Sequence, residues 1–271
     1  MDIRLARPED LGALKEIWNA SFPGDEAFAD WFLKTVFKTD SALVWEDGGR
    51  TAAMLHLIPM RWHVGGWEVP ASYVYAVATL PEYRGRGVAA ALLREAEALE
   101  KSRGTRVMML VPQSASLFEY YRRLGYETAL FRARRQIVSG AGEIPPGLEM
   151  DDSPETGELG ECFQAAMQGR DYVARSDEHW ARSLSYLNAL GVRRNGKPAG
   201  FAIYDSEGVV RELIALDEAA RAALEASALK RLNAREAVAF SPDGPGEPYG
   251  MARVLEPGLE LPSGYAGLML D

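Results

Sequence analysis

Cysteine is nearly missing from this 271-residue chain: Cys162 stands alone, so no internal disulfide can form, as expected in a reducing compartment. With one cysteine and three histidines there is no ligand cluster for a zinc site. Long apolar runs are missing too, and none approaches the roughly 20 residues of a spanning helix. The opening residues, Met1-Asp2-Ile3-Arg4-Leu5-Ala6-Arg7-Pro8, are charged and lack the apolar core of a secretory leader. These absences predict a cytoplasmic protein with no metal cofactor and no membrane partner. Positive charge is also short. Lys and Arg number 30 against 39 Asp and Glu, a net charge of −9, and residues from Asp151 onward, with 12 basic and 20 acidic, carry −8 of it. Such a surface repels nucleic acid and anionic membrane and mildly favours cationic small molecules. It is equally the ordinary solvated surface of an acidic soluble protein.

What is present suits a globular protein: 47% hydrophobic and 25% charged residues, in a length that fits two domains. Ile3–Ala6 reads as a strand, followed by two helices carrying Leu11, Leu14, Ile17 and Trp18, then Phe28, Trp31, Phe32 and Val36. Strands at Ala42–Trp45, Thr51–Trp62 and Val69–Thr79 are joined by the turns Asp47-Gly48-Gly49 and Gly65-Gly66. A helix over Val88–Ser102, a strand at Val107–Val111, a helix over Ser114–Arg123 and a strand at Tyr126–Val138 complete the first half. Ser139–Pro154, rich in Gly and Pro and then acidic, is expected to be a linker. Beyond it, helices at Glu155–Met167 and Asp177–Leu190 precede strands at Gly191–Arg194, Ala199–Tyr204 and Val209–Leu216, a helix over Glu218–Leu232 and a strand at Ala237–Phe240. The second half thus repeats the element order of the first without matching residues. The expectation is an α/β (α+β) chain: a mixed, mostly antiparallel sheet with flanking helices over residues 1–140, then a second, smaller α/β domain over residues 148–271.

The stretch Ala76-Val77-Ala78-Thr79-Leu80-Pro81-Glu82-Tyr83-Arg84-Gly85-Arg86-Gly87-Val88-Ala89 runs from an apolar strand through a Gly/Arg turn into an Ala/Leu helix. Free N–H groups at a helix start, made approachable by glycine, suit a pyrophosphate. Arg84 and Arg86 add charge. The glycines would equally serve a plain tight turn. No Gly-Lys-Ser/Thr closes the loop as in a Walker motif.

Arg84-x-x-Gly87-x-Ala89, after a strand ending at Pro81, resembles the acetyl-CoA pyrophosphate loop of the GNAT superfamily of N-acetyltransferases. Ala76–Thr79 resembles the family's fourth strand, which bonds the pantetheine arm. Val107–Val111 resembles the fifth, which splays from the fourth to admit it. Tyr121-Arg122-Arg123-Leu124-Gly125-Tyr126 is similar to the Tyr-x-x-Leu-Gly-Phe segment. The resemblance covers residues 3–137. With Leu55-His56-Leu57-Ile58-Pro59 and Leu117-Phe118-Glu119-Tyr120-Tyr121 it looks closest to the enhanced-intracellular-survival (Eis) type, in which a degenerate GNAT-like domain follows the first. No Arg-x-x-Gly-x-Gly occurs in the second half. The chain also stops near where those relatives begin a further, lipid-carrier-like domain.

The resemblance implies acetyl-CoA as cosubstrate and direct attack by an amine in a ternary complex. It assigns Val77, Ala78 and Thr79 to the pantetheine and carbonyl, with a backbone N–H of Ala78 or Thr79 steadying the oxyanion. Arg84, Gly85, Arg86, Gly87, Val88 and Ala89 would hold the pyrophosphate. Tyr121 would protonate the departing thiolate, with Tyr120 as the fallback. Ser114 and Ser116 read first as helix caps. The base is open: His56 reads as a core histidine, Glu82 as solvated, and Asp271 is a candidate only by analogy with the Eis-type C-terminus. Trp31, Phe32 and Phe28 read as core and, alternatively, as an acceptor wall. The acceptor is a primary amine of a small molecule or peptide, cationic amines included. A non-catalytic acyl-CoA sensor or scaffold is the alternative. An aminoacyl-transferase would need a basic surface that this sequence lacks.

Overall fold

The computed structural model describes residues 2–138 and 144–270. The start of the expected linker, Ser139–Glu143, and the candidate base Asp271 lie outside the described residues. In chain order the first elements are β1 (Asp2–Leu5), α1 (Leu11–Ser21), α2 (Glu26–Thr35), β2 (Ala42–Asp47), β3 (Arg50–Val64), β4 (Trp67–Thr79), α3 (Val88–Ser102), β5 (Val107–Leu110), α4 (Ala115–Arg123) and β6 (Glu127–Val138). They are followed by β7 (Leu148–Asp151), α5 (Thr156–Ala166), β8 (Tyr172–Ala174), α6 (Asp177–Leu184), β9 (Asn188–Arg194), β10 (Lys197–Tyr204) and β11 (Val209–Ala215). The last are α7 (Glu218–Arg231), β12 (Glu236–Ser241), β13 (Gly246–Val254) and β14 (Gly264–Tyr265).

The chain divides into two compact units, one of Met1–Arg61, Val69–Glu127 and Met251–Leu261, the other of Trp62–Glu68, Thr128–Gly250 and Pro262–Asp271. Each unit therefore borrows segments from beyond any single boundary in the sequence. Thr128–Val138, read from sequence with the first domain, falls in the second unit, and Met251–Leu261 falls in the first.

In the first unit β1, β2, β3, β4 and β5 are successive neighbours, and the Met251–Val254 end of β13 pairs antiparallel with β5. The β1–β2 register sets Arg4 opposite Val44. From there the Arg4 guanidinium spans two carboxylates, Asp10 at 2.7 Å and Glu46 at 2.9 Å. Asp10 also accepts the Arg7 N–H at 2.7 Å and the Thr51 hydroxyl at 3.1 Å. Its bond to Arg4, more than the others, holds the Asp10 carboxyl down at about 2. The apolar spacing of α1 and α2 buries Leu14, Ile17 and Trp18 from the first and Ala29 and Phe32 from the second. One stripe per helix faces inward as the sequence predicted, except that Leu11, expected on the apolar face of α1, is exposed.

The second unit runs β6-β12-β11-β10-β9-β7, with β11 and β12 parallel and the remaining neighbours along this path antiparallel. Its sheet buries Leu190, Val192, Val210 and Leu213 against Ala220, Ala223 and Leu224 of α7. A separate cluster gathers Leu159, Phe163, Trp180, Phe201 and Tyr265. Two expectations are corrected here. The acidic end of the expected linker is a strand: β7 pairs with β9, Met150 opposite Val192. The helix expected to reach Leu190 ends at Leu184, because Asn188–Leu190 pair with Tyr204–Ala202 of β10 instead.

Candidate functional site

The β4–β5 parallel pairing is short: Ala71 faces Val107, Ser72 faces Met108 and Tyr73 faces Met109. Strand β5 ends one residue later at Leu110, while β4 continues to Thr79. Midway along that extension Ala76 takes a φ of +48°, a left-handed conformation that costs a non-glycine residue about 1–2 kcal/mol. A β-strand that leaves its neighbour and then turns a residue left-handed presents backbone groups to whatever lies in the gap. Val77, Ala78 and Thr79 follow directly. No residue signal marked Ala76 in the sequence, since alanine is not a positive-φ residue.

Beyond Thr79 the chain is pinned at both ends of a short loop. The Leu80 N–H donates to the Ala52 carbonyl of β3 at 2.9 Å. The Arg84 Nε donates to the Thr79 carbonyl at 2.8 Å, and its Nη2 reaches the Ser21 hydroxyl at 3.3 Å. Arg84, expected to touch a pyrophosphate, has its guanidinium occupied in shaping the loop. Arg86 lies over the Tyr83 ring at 5.2 Å, and Tyr83 in turn meets Trp45 edge-on at 5.3 Å.

Gly85 and Gly87 have φ of +74° and +75°, which explains why glycine stands at both. Gly87 is the N-cap of α3, without a side-chain cap and with no acidic residue in the following turn. A Cβ at either glycine would meet nothing within 4 Å, so among the described residues the space before the helix is open. The N–H groups that begin α3 at Val88 and Ala89 therefore lie beside open space at the positive end of the helix dipole.

Tyr121 sits on α4, buried, between Tyr120 at 5.2 Å and Tyr126 at 5.9 Å. Burial raises its phenol well above the ordinary value, so it stays protonated throughout the neutral range. The half-buried Tyr120 is raised as well, with Arg94 and Arg123 pulling it back. Ser114 is the N-cap of α4: its hydroxyl accepts the Leu117 N–H at 3.3 Å and lies 2.9 Å from Ser116.

His56 is 2% exposed and ringed by Phe32 at 4.9 Å, Phe37 at 5.9 Å and Trp18 at 6.2 Å. Desolvation drives it down to about 3, so it is neutral, and among the described residues its Nε2 has no hydrogen-bond partner. Glu82 is exposed and lies 3.1 Å from Arg50. Phe32 is core, whereas Phe28 and Trp31 are half-buried and 5.1 Å apart.

The corresponding turn in the second unit is built differently. Only Leu216 and Asp217 separate β11 from α7. The Asp217 carboxylate caps the helix by accepting the Ala220 N–H at 2.9 Å, and Arg194 bonds both its oxygens at 2.9 Å. The cap and the guanidinium hold that carboxyl below its ordinary range. Here the helix end is already filled.

Residues 2–129, which contain the splayed strand, the glycine loop and α4, match the family described as acetyltransferase (GNAT) domain. Those residues are similar to a GNAT acetyltransferase domain over just under half of the chain. Among curated proteins, an uncharacterized N-acetyltransferase of Methanocaldococcus jannaschii is 25% identical over 149 residues, 51% of this chain and 63% of that protein. The chain thus spans less than two thirds of that relative's length. Among solved structures, a GCN5-related N-acetyltransferase from Anabaena variabilis superimposes with a TM-score of 0.75 at 20% identity, covering 94% of this chain and 73% of the other. Eis1 from Mycobacterium abscessus gives 0.66 at 18% identity, covering 94% and 74%. At these identities the likeness to the two structures is one of fold alone.

Proposed function

We propose that the chain is an acetyl-CoA-dependent N-acetyltransferase that acts on a primary amine of a small molecule or peptide. The observation that carries this reading is the sequence of a departing strand, a left-handed Ala76 and an open, glycine-capped helix start within one GNAT domain. The pantetheine would lie along Val77, Ala78 and Thr79, and the pyrophosphate on the N–H groups from Gly85 to Ala89. Arg84 shapes that loop, and Arg86 adds charge beside it.

The neutral amine attacks the thioester carbon, the C–S bond breaks, and the thiolate takes a proton from the Tyr121 hydroxyl. An N–H of Ala78 or Thr79 steadies the carbonyl oxygen while it carries negative charge. The proton lost by the amine leaves through water, and the phenolate is reprotonated from solvent. His56 takes no part, being sealed and neutral.

On this reading residues 1–140 supply the catalytic domain and 148–271 a degenerate GNAT-like domain of the Eis type. The repeated element order supports that assignment, and the self-capped start of α7 is consistent with a domain that holds no acyl-CoA. The acidic second half favours cationic acceptors, and a cytoplasmic location is part of the same proposal. No helix among the described residues is long and apolar enough to cross a membrane. Calorimetry with acetyl-CoA, followed by thiol release across a panel of amines, tests the reading. A folded protein that binds no acetyl-CoA refutes it.

A second reading, an acyl-CoA sensor without catalysis, draws support from the burial that makes Tyr121 a weaker acid. Tight acetyl-CoA binding with no turnover of any amine would favour it.

A further inference from the structure

A cavity of about 290 Å³ opens in the first unit between α3 and the end of α4, near the lower limit of ligand pockets, about 300 Å³. Its wall on α3 is formed by Ala90, Leu93, Arg94 and Glu97, the i, i+3, i+4, i+7 face of one helix. Ala90 lies in the first turn after Gly87, so the groove begins where the open glycine loop ends. Arg94 is seven residues past Gly87, roughly 10 Å farther along the axis at 1.5 Å per residue.

The lining sets three guanidiniums against one carboxylate in a chain whose net charge is −9. Arg253 and Glu97 are committed to each other, 3.0 Å apart, and Glu97 also holds Lys101 at 2.7 Å. Arg253 further donates to the Leu124 carbonyl. That leaves Arg94 and Arg123, neither of which forms an ion pair among the described residues. Both line the same cavity, Arg94 from α3 and Arg123 from the end of α4. The Arg123 Nε donates to the Glu119 carbonyl at 3.3 Å. Two unpaired arginines beside a cavity that leads off an anion-binding helix start suit a phosphomonoester dianion.

We propose that Arg94 and Arg123 bind the ribose 3′-phosphate of CoA in this groove, so that the protein distinguishes CoA from 3′-dephospho-CoA. The inference rests on the acetyl-CoA reading above: a pyrophosphate seated on Gly85–Ala89 has the phosphorylated ribose attached to it, one sugar farther out. Dephospho-CoA keeps the pantetheine and pyrophosphate and lacks only this group, which makes it the discriminating probe.

Calorimetry with CoA and with 3′-dephospho-CoA on the whole chain, the Arg94→Gln variant and the Arg94→Gln/Arg123→Gln double variant reads the effect. The expected result is at least tenfold tighter binding of CoA by the unsubstituted protein. The single variant should narrow that ratio and the double variant should abolish it, with dephospho-CoA affinity held within about twofold. Because Arg123 closes α4, circular dichroism checks the double variant, and Arg94→Gln alone decides if it unfolds. Equal affinity for the two ligands in the unsubstituted protein overturns the proposal and leaves acetyl-CoA binding standing. Equal losses for both ligands in the variants overturn it also. Failure of the folded protein to bind either ligand defeats the acetyl-CoA reading itself, a distinct outcome in the same experiment.

Discussion

Arg84 folds back on its own strand: its Nε donates to the Thr79 carbonyl at 2.8 Å, bridging the five residues between the strand end and the glycine turn. The cation therefore sets the path along which the Gly85 to Ala89 N–H groups are presented. Hydrogen bonds from a charged donor contribute about 1.5–3 kcal/mol. Arg84→Met is expected to weaken acetyl-CoA binding about tenfold by calorimetry, with a loss of only a few degrees in Tm. Unchanged affinity would reduce the contact to decoration.

At Gly87 the obstacle to substitution is conformation. With φ at +75° and no atom within 4 Å of a built Cβ, a side chain meets strain of about 1–2 kcal/mol and open space. Gly87→Val should fold with a modest drop in Tm and lose at least tenfold in acetyl-CoA affinity, because its branches occupy the pyrophosphate position. Full affinity in the folded variant would put the cofactor elsewhere.

Tyr121→Phe removes the proposed proton donor and keeps the ring packing on Tyr120 and Tyr126. An expected fall in kcat of roughly 10²-fold or more with acetyl-CoA affinity retained would support the donor role. Tyr120→Phe should be milder. The raised phenol gives no loss of rate from Tyr121 ionisation below pH 10. Greater damage at Tyr120 would transfer the role to it.

His56 predicts an acid sensitivity of the fold. Its ring sits near 3 when folded and at 6.5 when exposed, so between those values the unfolded chain binds the extra proton. The stability it contributes is complete above pH 6.5 and is lost as the pH falls toward 3. The Asp10 contribution is lost lower, between its ordinary 3.8 and about 2. Urea midpoints at pH 7 and pH 5 stay above the Asp10 window but also include His179, which burial lowers to about 4, so the His56 share is read from a variant. His56→Leu should shift less between the two than the parent protein, and equal shifts would mean that His56 is protonated inside the fold.

The acidic second half predicts how acceptors are chosen. If its charge raises the local concentration of cationic amines, their kcat/KM should fall as salt shortens the Debye length from about 8 Å at physiological strength to about 3 Å at 1 M. Neutral amines should be indifferent once acetyl-CoA binding is corrected for. Salt-independent turnover of cationic acceptors would leave the charge to solubility.

Much of this was legible in the residues. The apolar stripes of α1 and α2 and the Gly turns forecast those elements, and Val88–Ser102 is the helix expected. What escaped depended on partners far away in sequence. Leu184, Leu187 and Leu190 keep a helical spacing, yet pairing with β10 turns Asn188–Leu190 into strand. Leu148–Asp151 looked like acidic linker until β9 gave it a partner, with Arg193 bonding Asp151 at 2.9 Å. Strands as short as Tyr172–Ala174 and Gly264–Tyr265 leave no periodicity to read. In the candidate site the glycines were visible because only glycine suits their φ, whereas Ala76 adopts +48° against its own preference. Arg84 was visible as a charge, but its direction was not.

The carboxylate of Asp217 has a consequence in counting. The turns β4–α3 and β11–α7 hold the same place in the element order of the two halves, and in the second the protein supplies its own anion, already matched by Arg194. A guest phosphate there would have to displace a covalently tethered rival at very high effective concentration. Titration of the protein with acetyl-CoA should therefore saturate at a molar ratio of one, with a single enthalpy and no second, weaker phase.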